Sequence, residues 1–548
     1  MNKRFIKKPA FTSVKSSNLN RGKPQGFIVT KDYMDTIKAN SHLGKKGYTI
    51  PKSIVDPADY EFLKKDLVMT PFVIGPKYGD TGDTAFPIYR ENSAKIYLPR
   101  FYGVKRYGLP DKCDLEEGES IDIAFVKELR DYQTKIIKVY MDYVNTPITK
   151  NSAMNGNGGI LEVPCGKGKT VMALKIISEL KKKTLILVHK EFLMNQWIER
   201  ITEFMPSARV GKIQGPVYEV EGKDIVIGMI QTLHSRDFNS AAFTPFGLTI
   251  IDEVHRIGSE EFSKTLLKTI TPYMLGISAT VERKDRLTKI LYMFIGEKIY
   301  SEERTDDDLV MVRAIEFKSG DAEFNETEYD FRGSPKYSTM ISKLCNYGPR
   351  SDFIVTVIQD LLLENSHKQI MILAHNRALL TYLHDAIKHR ISQEDDTVGY
   401  YVGGMKEKDL KVTESKRIVL ATYAMAAEAL DIKTLSTLVM ATPKTDIEQS
   451  VGRILRARGQ NPIVVDIVDS HEYLKGQWNR RKTFYKKCGY KIFWQNSVQY
   501  KGFCIDWQTD KTWRVDFDPA QAKTACLLGK SRCLIDIPIV PDISNEQL

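Results

Sequence analysis

The chain has 548 residues, of which 42% are hydrophobic and 27% charged, with a formal net charge of +11. That length fits roughly three or four domains of ordinary globular composition, and no apolar run approaches the ~20 residues of a membrane span. Seven cysteines without a Cys-x-x-Cys pair argue against a disulfide framework or structural zinc, and for a reducing compartment.

Residues 1–50 carry eleven Lys/Arg against two acids, Asp32 and Asp35, while the remainder is close to neutral. A basic arm suits a polyanionic partner through counterion release; a solvated tail has the same composition. Residues 1–46 are expected to be partly disordered, with one short helix near Asp32–Asn40. They lack the apolar core of a secretory signal. Residues 47–117 read as a small α+β domain. Pro71–Gly75, Ala85–Arg90 and Lys95–Tyr102 look like short strands broken by Gly and Pro. Their aromatic and basic side chains could stack on nucleic acid or simply fill a core.

Residues 118–302 alternate apolar strands with helices. The strands are expected at Ile160–Val163, Thr184–Val188, Ile225–Met229, Leu248–Asp252 and Leu275–Ser278. Continuous apolar strands in βα alternation predict a parallel sheet covered on both faces. A charged, poorly periodic stretch, 303–348, reads as a connector. The same texture then returns over 349–472, with strands expected at Gln369–Leu373, Thr397–Val402, Arg417–Ala421, Thr437–Ala441 and Pro462–Ile467. The fold class is thus α/β, with two tandem parallel-sheet domains. Residues 473–548 hold four of the five tryptophans and read as a C-terminal extension. It would either pack on the second α/β domain or offer a contact surface.

Four clusters carry chemistry. The first is Pro164-Cys-Gly-Lys-Gly-Lys-Thr170, between a strand and a helix. Gly166 and Gly168 give the loop its backbone freedom, and the N–H groups at the helix start can hold phosphate. Lys169 suits the β- and γ-phosphates of ATP, and Thr170 suits Mg²⁺. Val163 stands where a full P-loop has its first glycine. The second cluster, Asp252-Glu-Val-His255, closes a buried strand at the carboxyl edge where open parallel sheets bind ligands. Asp252 suits Mg²⁺ and Glu253 a general base for water. The third is Ser278-Ala279-Thr280, at another strand end, which could couple the nucleotide site to a moving element. The fourth is Gln449-Ser-Val-Gly-Arg-Ile-Leu-Arg456. On a helix it sets Gln449, Arg453 and Arg456 on one face, suited to an incoming phosphate as arginine fingers are.

In this order and over about residues 120–470, the clusters resemble the motifs of superfamily 2 helicases. Glu128-Leu-Arg-Asp-Tyr-Gln133 resembles the family's adenine-proximal segment, which points to Arg130 and Gln133. The resemblance implies two RecA-like domains with ATP and Mg²⁺ in the cleft between them, and nucleic acid across their top. Within the superfamily the chain is most similar to the XPB-like branch and to the transcript-release DNA helicase of poxviruses and other large DNA viruses. Pro164-Cys-Gly166, Arg283-Lys-Asp285, Gly403-Gly-Met405, Ala421–Asp431 and Thr442–Gln449 carry this likeness. Two positions depart from the pattern: Val281 replaces a common proline, and Ala429 stands where glycine is expected before Leu430-Asp431. By resemblance, Asp431 would lie near the ribose, and Lys190, Thr232, Arg377 and Thr422 would contact a nucleic-acid backbone.

The implied activity is an ATP-driven DNA helicase or translocase, 3′ to 5′, acting in viral transcription. Its partners would be single-stranded or duplex DNA, RNA or an RNA–DNA hybrid, and the viral RNA polymerase or transcription factors, with no membrane. Its place would be the cytoplasm, a viral factory or virion, or the nucleus. An RNA helicase, and a binding or structural subunit of a transcription or packaging machine, are the alternatives.

Overall fold

The computed structural model describes residues 27–71, 85–146, 157–164, 166–239, 241–254, 260–282, 287–302, 310–331, 333–365, 367–391, 394, 397–428, 432, 434–445, 447, 450–452, 462–503 and 512–519. The run expected as a strand at Pro71–Gly75 lies almost wholly outside them.

The N-terminal unit starts with a helix, Lys31–Asn40, whose N-cap Thr30 accepts from the Tyr33 N–H. A five-stranded sheet follows, in the spatial order 90–91, 95–98, 47–51, 42–44, 112–113. The run expected as one strand over Lys95–Tyr102 is corrected here. The strand ends at Leu98, and a helix spans Arg100–Tyr107 with Pro99 at its N-cap. Proline has no N–H to extend the ladder, and its fixed φ suits a helix start. Of the aromatics in the runs read as a stacking surface, Phe86 is buried core, whereas Tyr89, Tyr97, Phe101 and Tyr102 are half-buried. The unit is docked on its neighbour: Arg100, 5% exposed, donates from Nη1 to the carbonyls of Thr271 and Pro272 at 3.0 and 2.7 Å.

The first large sheet contains β1 (Gly158–Glu162), β2 (Thr184–Val188), β3 (Val210–Gln214), β4 (Ile225–Met229), β5 (Leu248–Asp252), β6 (Tyr273–Ser278) and β7 (Lys298–Ser301). Their order is β3-β4-β2-β5-β6-β1-β7, all parallel, with Val217–Tyr218 added antiparallel beside β3. Strands β2 and β5 are buried at every residue, as expected of a sheet covered on both faces. The covering helices include α1 (Asp131–Asn145), α2 (Lys169–Leu180) and α3 (Glu191–Phe204).

The second sheet contains β8 (Met311–Phe317), β9 (Gln369–Ala374), β10 (Val398–Tyr401), β11 (Ile418–Thr422), β12 (Leu435–Met440), β13 (Ile463–Asp469), β14 (Lys491–Asn496) and β15 (Arg514–Phe517). Their order is β10-β11-β9-β12-β13-β8-β14-β15, parallel except for the last pair. Helices α4 (Gly348–Glu364), α5 (Arg377–Arg390), α6 (Glu407–Glu414) and α7 (Glu472–Lys487) accompany it. Two mainly parallel sheets in tandem make the fold α/β.

The stretch 303–348 is not merely a connector. Its β8 pairs in register with β13 on one side and β14 on the other. The strand was obscured by Arg313, which is buried but neutralised by a two-point pair with Glu364, both bonds 2.7 Å. The C-terminal stretch likewise contributes β14 and β15 to this sheet. No described helix is long and apolar enough to cross a membrane.

Candidate functional site

Adjacent strands β1, β6 and β5 bring three of the clusters to one sheet edge. Glu162 is level with Ser278, and Ile277 with Asp252. The Val163 N–H donates to the Ser278 carbonyl at 2.8 Å. The loop after β1 therefore begins in contact with Ser278-Ala279-Thr280. It turns at Gly166 (φ +87°) and Gly168 (φ +81°), a region open to glycine, and enters α2 at Lys169 and Thr170. Pro164 is buried, and Lys167, Lys169 and Thr170 are half-buried. Cys165 lies outside the described residues.

The loop is braced from α1. Gln133 is 4% exposed, and its Nε2 donates to the Lys167 carbonyl at 3.0 Å. The Tyr132 hydroxyl donates to the same carbonyl at 3.0 Å, and Arg130 donates to that hydroxyl at 3.0 Å. The other end of the Gln133 amide accepts the Arg130 N–H at 3.0 Å. A Cβ on Gly168 would lie 2.4 Å from Gln133 Nε2, so this glycine is needed for close approach as well as for its φ. Arg130 and Gln133 are thus engaged with the loop itself.

At the end of β5, Lys169 Nζ lies 3.0 Å from Glu253 Oε1. Glu253 has φ +51°, a left-handed backbone that costs a non-glycine residue about 1 kcal/mol or more and is found at functional sites. Asp252, 8% exposed, accepts from Trp197 Nε1 on α3 at 3.0 Å and from the Glu253 N–H at 2.9 Å. Burial, with the Glu253 carboxylate beside it, pushes the Asp252 carboxyl up to about 6, against the opposing pull of Lys169. The buried Asp252 carboxylate, with the half-buried Glu253 carboxylate next to it, is a hard-oxygen donor set that a divalent cation relieves. The residues present fit Mg²⁺.

Ser278, fully buried, donates from its hydroxyl to the Thr280 carbonyl at 2.6 Å, and Ala279 is 7% exposed. The next residue, Val281, donates its N–H to Glu162 Oε1 at 2.7 Å. The other oxygen of Glu162 accepts from Lys298 Nζ at 3.0 Å and the Ser301 hydroxyl at 2.7 Å. These donors hold the Glu162 carboxyl below its ordinary range despite burial. Glu162 and Trp197 are site residues absent from the sequence reading, which quotes Tyr132 within Glu128–Gln133 but gives it no role. A lone Trp on an apolar helix reads as core, and nothing local reveals a partner 55 positions away.

The remaining predicted residues are dispersed or undescribed. Lys190 is the residue before α3, and Thr422 ends β11. Thr232 is 8% exposed and its hydroxyl accepts the Gly215 N–H at 2.9 Å, so it is engaged with the turn after β3. Arg377 opens α5 and donates to the Gly403 carbonyl. His255, Asp431, Gln449, Arg453 and Arg456 lie outside the described residues.

Residues 126–283, which span the Pro164–Thr170 loop and the strand ending at Asp252, match the family "Type III restriction enzyme, res subunit". A protein of Acanthamoeba polyphaga mimivirus, "Putative ATP-dependent RNA helicase L396", is 35% identical over 456 residues, 81% of this chain and 85% of its own length. "Putative ATP-dependent RNA helicase QP509L" of African swine fever virus is 30% identical over 356 residues, 61% of this chain and 69% of its own. The "DNA 3'-5' translocase XPB2" of Sulfurisphaera tokodaii is 31% identical over 208 residues, 37% of this chain and 43% of its own. The chain belongs to the superfamily 2 helicases, nucleic-acid-dependent ATPases, in the group that includes these viral proteins.

Proposed function

We propose that the chain is an ATP-dependent 3′-to-5′ DNA helicase or translocase acting in viral transcription, of the transcript-release kind, and that the edge of β1, β6 and β5 is its ATPase site. The observation that carries the site is the Lys169–Glu253 pair at 3.0 Å in front of the buried Asp252. Lys169 Nζ and Glu253 Oε1 are paired. Phosphate oxygens compete for Lys169, and their arrival frees the Glu253 carboxylate to orient water and accept its proton. Mg²⁺, held by Thr170 and Asp252, would supply charge neutralisation on the phosphates. Backbone N–H groups from Gly166 to Thr170 hold the anion at the α2 terminus. Glu253 thus becomes available as base only once Lys169 has a phosphate, which ties hydrolysis to occupancy.

The remaining predicted residues complete the proposal. Arg453 and Arg456, with Gln449, would reach the γ-phosphate from the second domain, and Asp431 the ribose. Lys190, Thr232, Arg377 and Thr422 would hold the strand backbone, with His255 and Ser278–Thr280 coupling the two events. Lys169→Ala and Glu253→Gln should each lower nucleic-acid-stimulated ATPase at least 100-fold in a folded protein. Undiminished turnover in both would sink the site assignment.

DNA is favoured by the likeness of Pro164-Cys-Gly166 and Arg283-Lys-Asp285 to the XPB-like branch and by the translocase name of the Sulfurisphaera relative. A second reading, RNA, is favoured by the names of the mimivirus and African swine fever virus relatives. ATPase stimulation by single-stranded DNA, duplex DNA and RNA at fixed salt separates the two.

A further inference from the structure

Helix α3 has two working faces. Met194, Trp197 and Ile201 lie at i, i+3 and i+7 and are buried in the core of the first sheet. Trp197, 1% exposed, donates from Nε1 to Asp252 at 3.0 Å. On the opposite side, Phe192, Asn195 and Glu199 share the same spacing. Asn195 Nδ2 donates to Glu407 Oε2 at 2.9 Å, and Glu199 Oε1 pairs with Lys411 Nζ at 2.5 Å, both partners being on α6 of the second domain. Phe192 packs against apolar cores of both sheets. The Glu199–Lys411 pair is 57% exposed on each side and contributes little alone. The apolar Phe192 contact is the stronger part of the junction.

One rigid helix therefore touches the second domain on one side and the buried Asp252 carboxylate on the other. We propose that α3 links the two domains to the metal-binding carboxylate, with Trp197 as the positioning residue that fixes the orientation of Asp252. The inference rests on reading Asp252 as a Mg²⁺ ligand. A carboxylate with 8% exposure can present an oxygen to a cation only in the rotamer its donors allow. The Trp197 N–H holds Oδ2, and a shift of α3 along its axis moves that donor. Contact with α6 sets where α3 lies. Approach of the second domain thus reaches the metal site without passing through the nucleotide.

The test is Mn²⁺ binding, followed by electron paramagnetic resonance, to the full chain with ADP. Trp197→Phe keeps the ring and removes the donor. It should raise the Mn²⁺ Kd about tenfold, leave ADP affinity in EDTA within twofold, and give an ATPase that recovers at high Mg²⁺. A purely structural role for the indole would not produce that split. Phe192→Ala, at a half-buried position, should raise the Mn²⁺ Kd about threefold. The double variant should bind no more weakly than Trp197→Phe alone, because both act through one hydrogen bond. An unchanged Kd in Trp197→Phe, or multiplying effects in the double variant, overturns the proposal. If Trp197→Phe does not fold, an unchanged Kd in Phe192→Ala overturns it instead. Asp252→Asn separates the two levels. Retained Mn²⁺ binding there removes the ligand reading itself, whereas lost binding with an indifferent Trp197→Phe removes only this inference.

Discussion

Replacing Asp252 with asparagine should stabilise the protein while abolishing ATP hydrolysis. Burial and the neighbouring Glu253 lift the Asp252 carboxyl from the ordinary 3.8 to about 6. One pKa unit corresponds to about 1.4 kcal/mol, so keeping this group ionised at pH 7.5 costs the folded state about 3 kcal/mol. The folded value lies above the unfolded one, so the folded protein holds the proton more tightly. The cost is absent below pH 3.8, accumulates as pH rises towards 6, and is complete above that. Asparagine removes the charge. It cannot accept from both Trp197 Nε1–H and the Glu253 N–H through one carbonyl, and the lost bond returns about 1 kcal/mol. The net gain is about 1–2 kcal/mol, or a rise of about 2–8 °C for a unit of this size. Scanning calorimetry of EDTA-treated protein reads it directly, as the unfolding transition of the first α/β unit. The gain should fall well below about 1 kcal/mol at pH 5, where Asp252 is mostly protonated and the charge cost is about half its full size. Melting of Asp252→Asn at or below the wild-type temperature at pH 7.5 would refute the reasoning.

Gly168→Ala places a Cβ 2.4 Å from Gln133 Nε2 at φ +81°, and should weaken binding of a fluorescent ADP analogue by at least about tenfold; unaltered affinity counts against the brace from α1. Tyr132→Phe leaves Gln133 as the remaining side-chain donor to the Lys167 carbonyl among those described; the ATP KM should rise about two- to tenfold with kcat within twofold, and a fall in kcat alone would contradict this. Arg350 and Asp469 are both fully buried and joined at 2.6 and 3.0 Å; Arg350→Ala should cost the second domain about 3–5 kcal/mol, read by urea denaturation, and a cost below about 1 kcal/mol would show the pair to be dispensable.

Legibility in the sequence followed locality. Five strands of the first sheet were readable because a parallel strand buried on both faces is a continuous apolar run, as in Thr184–Val188 and Leu248–Asp252, whereas Val210–Gln214 and Lys298–Ser301, less buried and without such a run, were not. Lys169, Asp252 and Glu253 were legible as a candidate site because phosphate and metal chemistry calls for those residue types at a helix start and a strand end. The strand Met311–Phe317 was not, since Arg313 and Glu316 suggest solvent until the Glu364 partner is known. Trp197, Tyr132 and Glu162 act through long-range bonds whose partners leave no mark in the adjoining residues. The Lys95–Tyr102 run failed at Pro99, where propensity favoured continuing the strand and the missing N–H favoured turning into a helix.

The bond from Val281 to Glu162 bears on what position 281 can hold. Proline at 281 has no N–H, so it would leave the Glu162 oxygen short of one donor while Lys298 and Ser301 still hold the other. Positions 162 and 281 are therefore mechanically tied: the strand that feeds the Pro164–Thr170 loop is pinned to the residue after the Ser-Ala-Thr turn by an N–H that proline cannot supply.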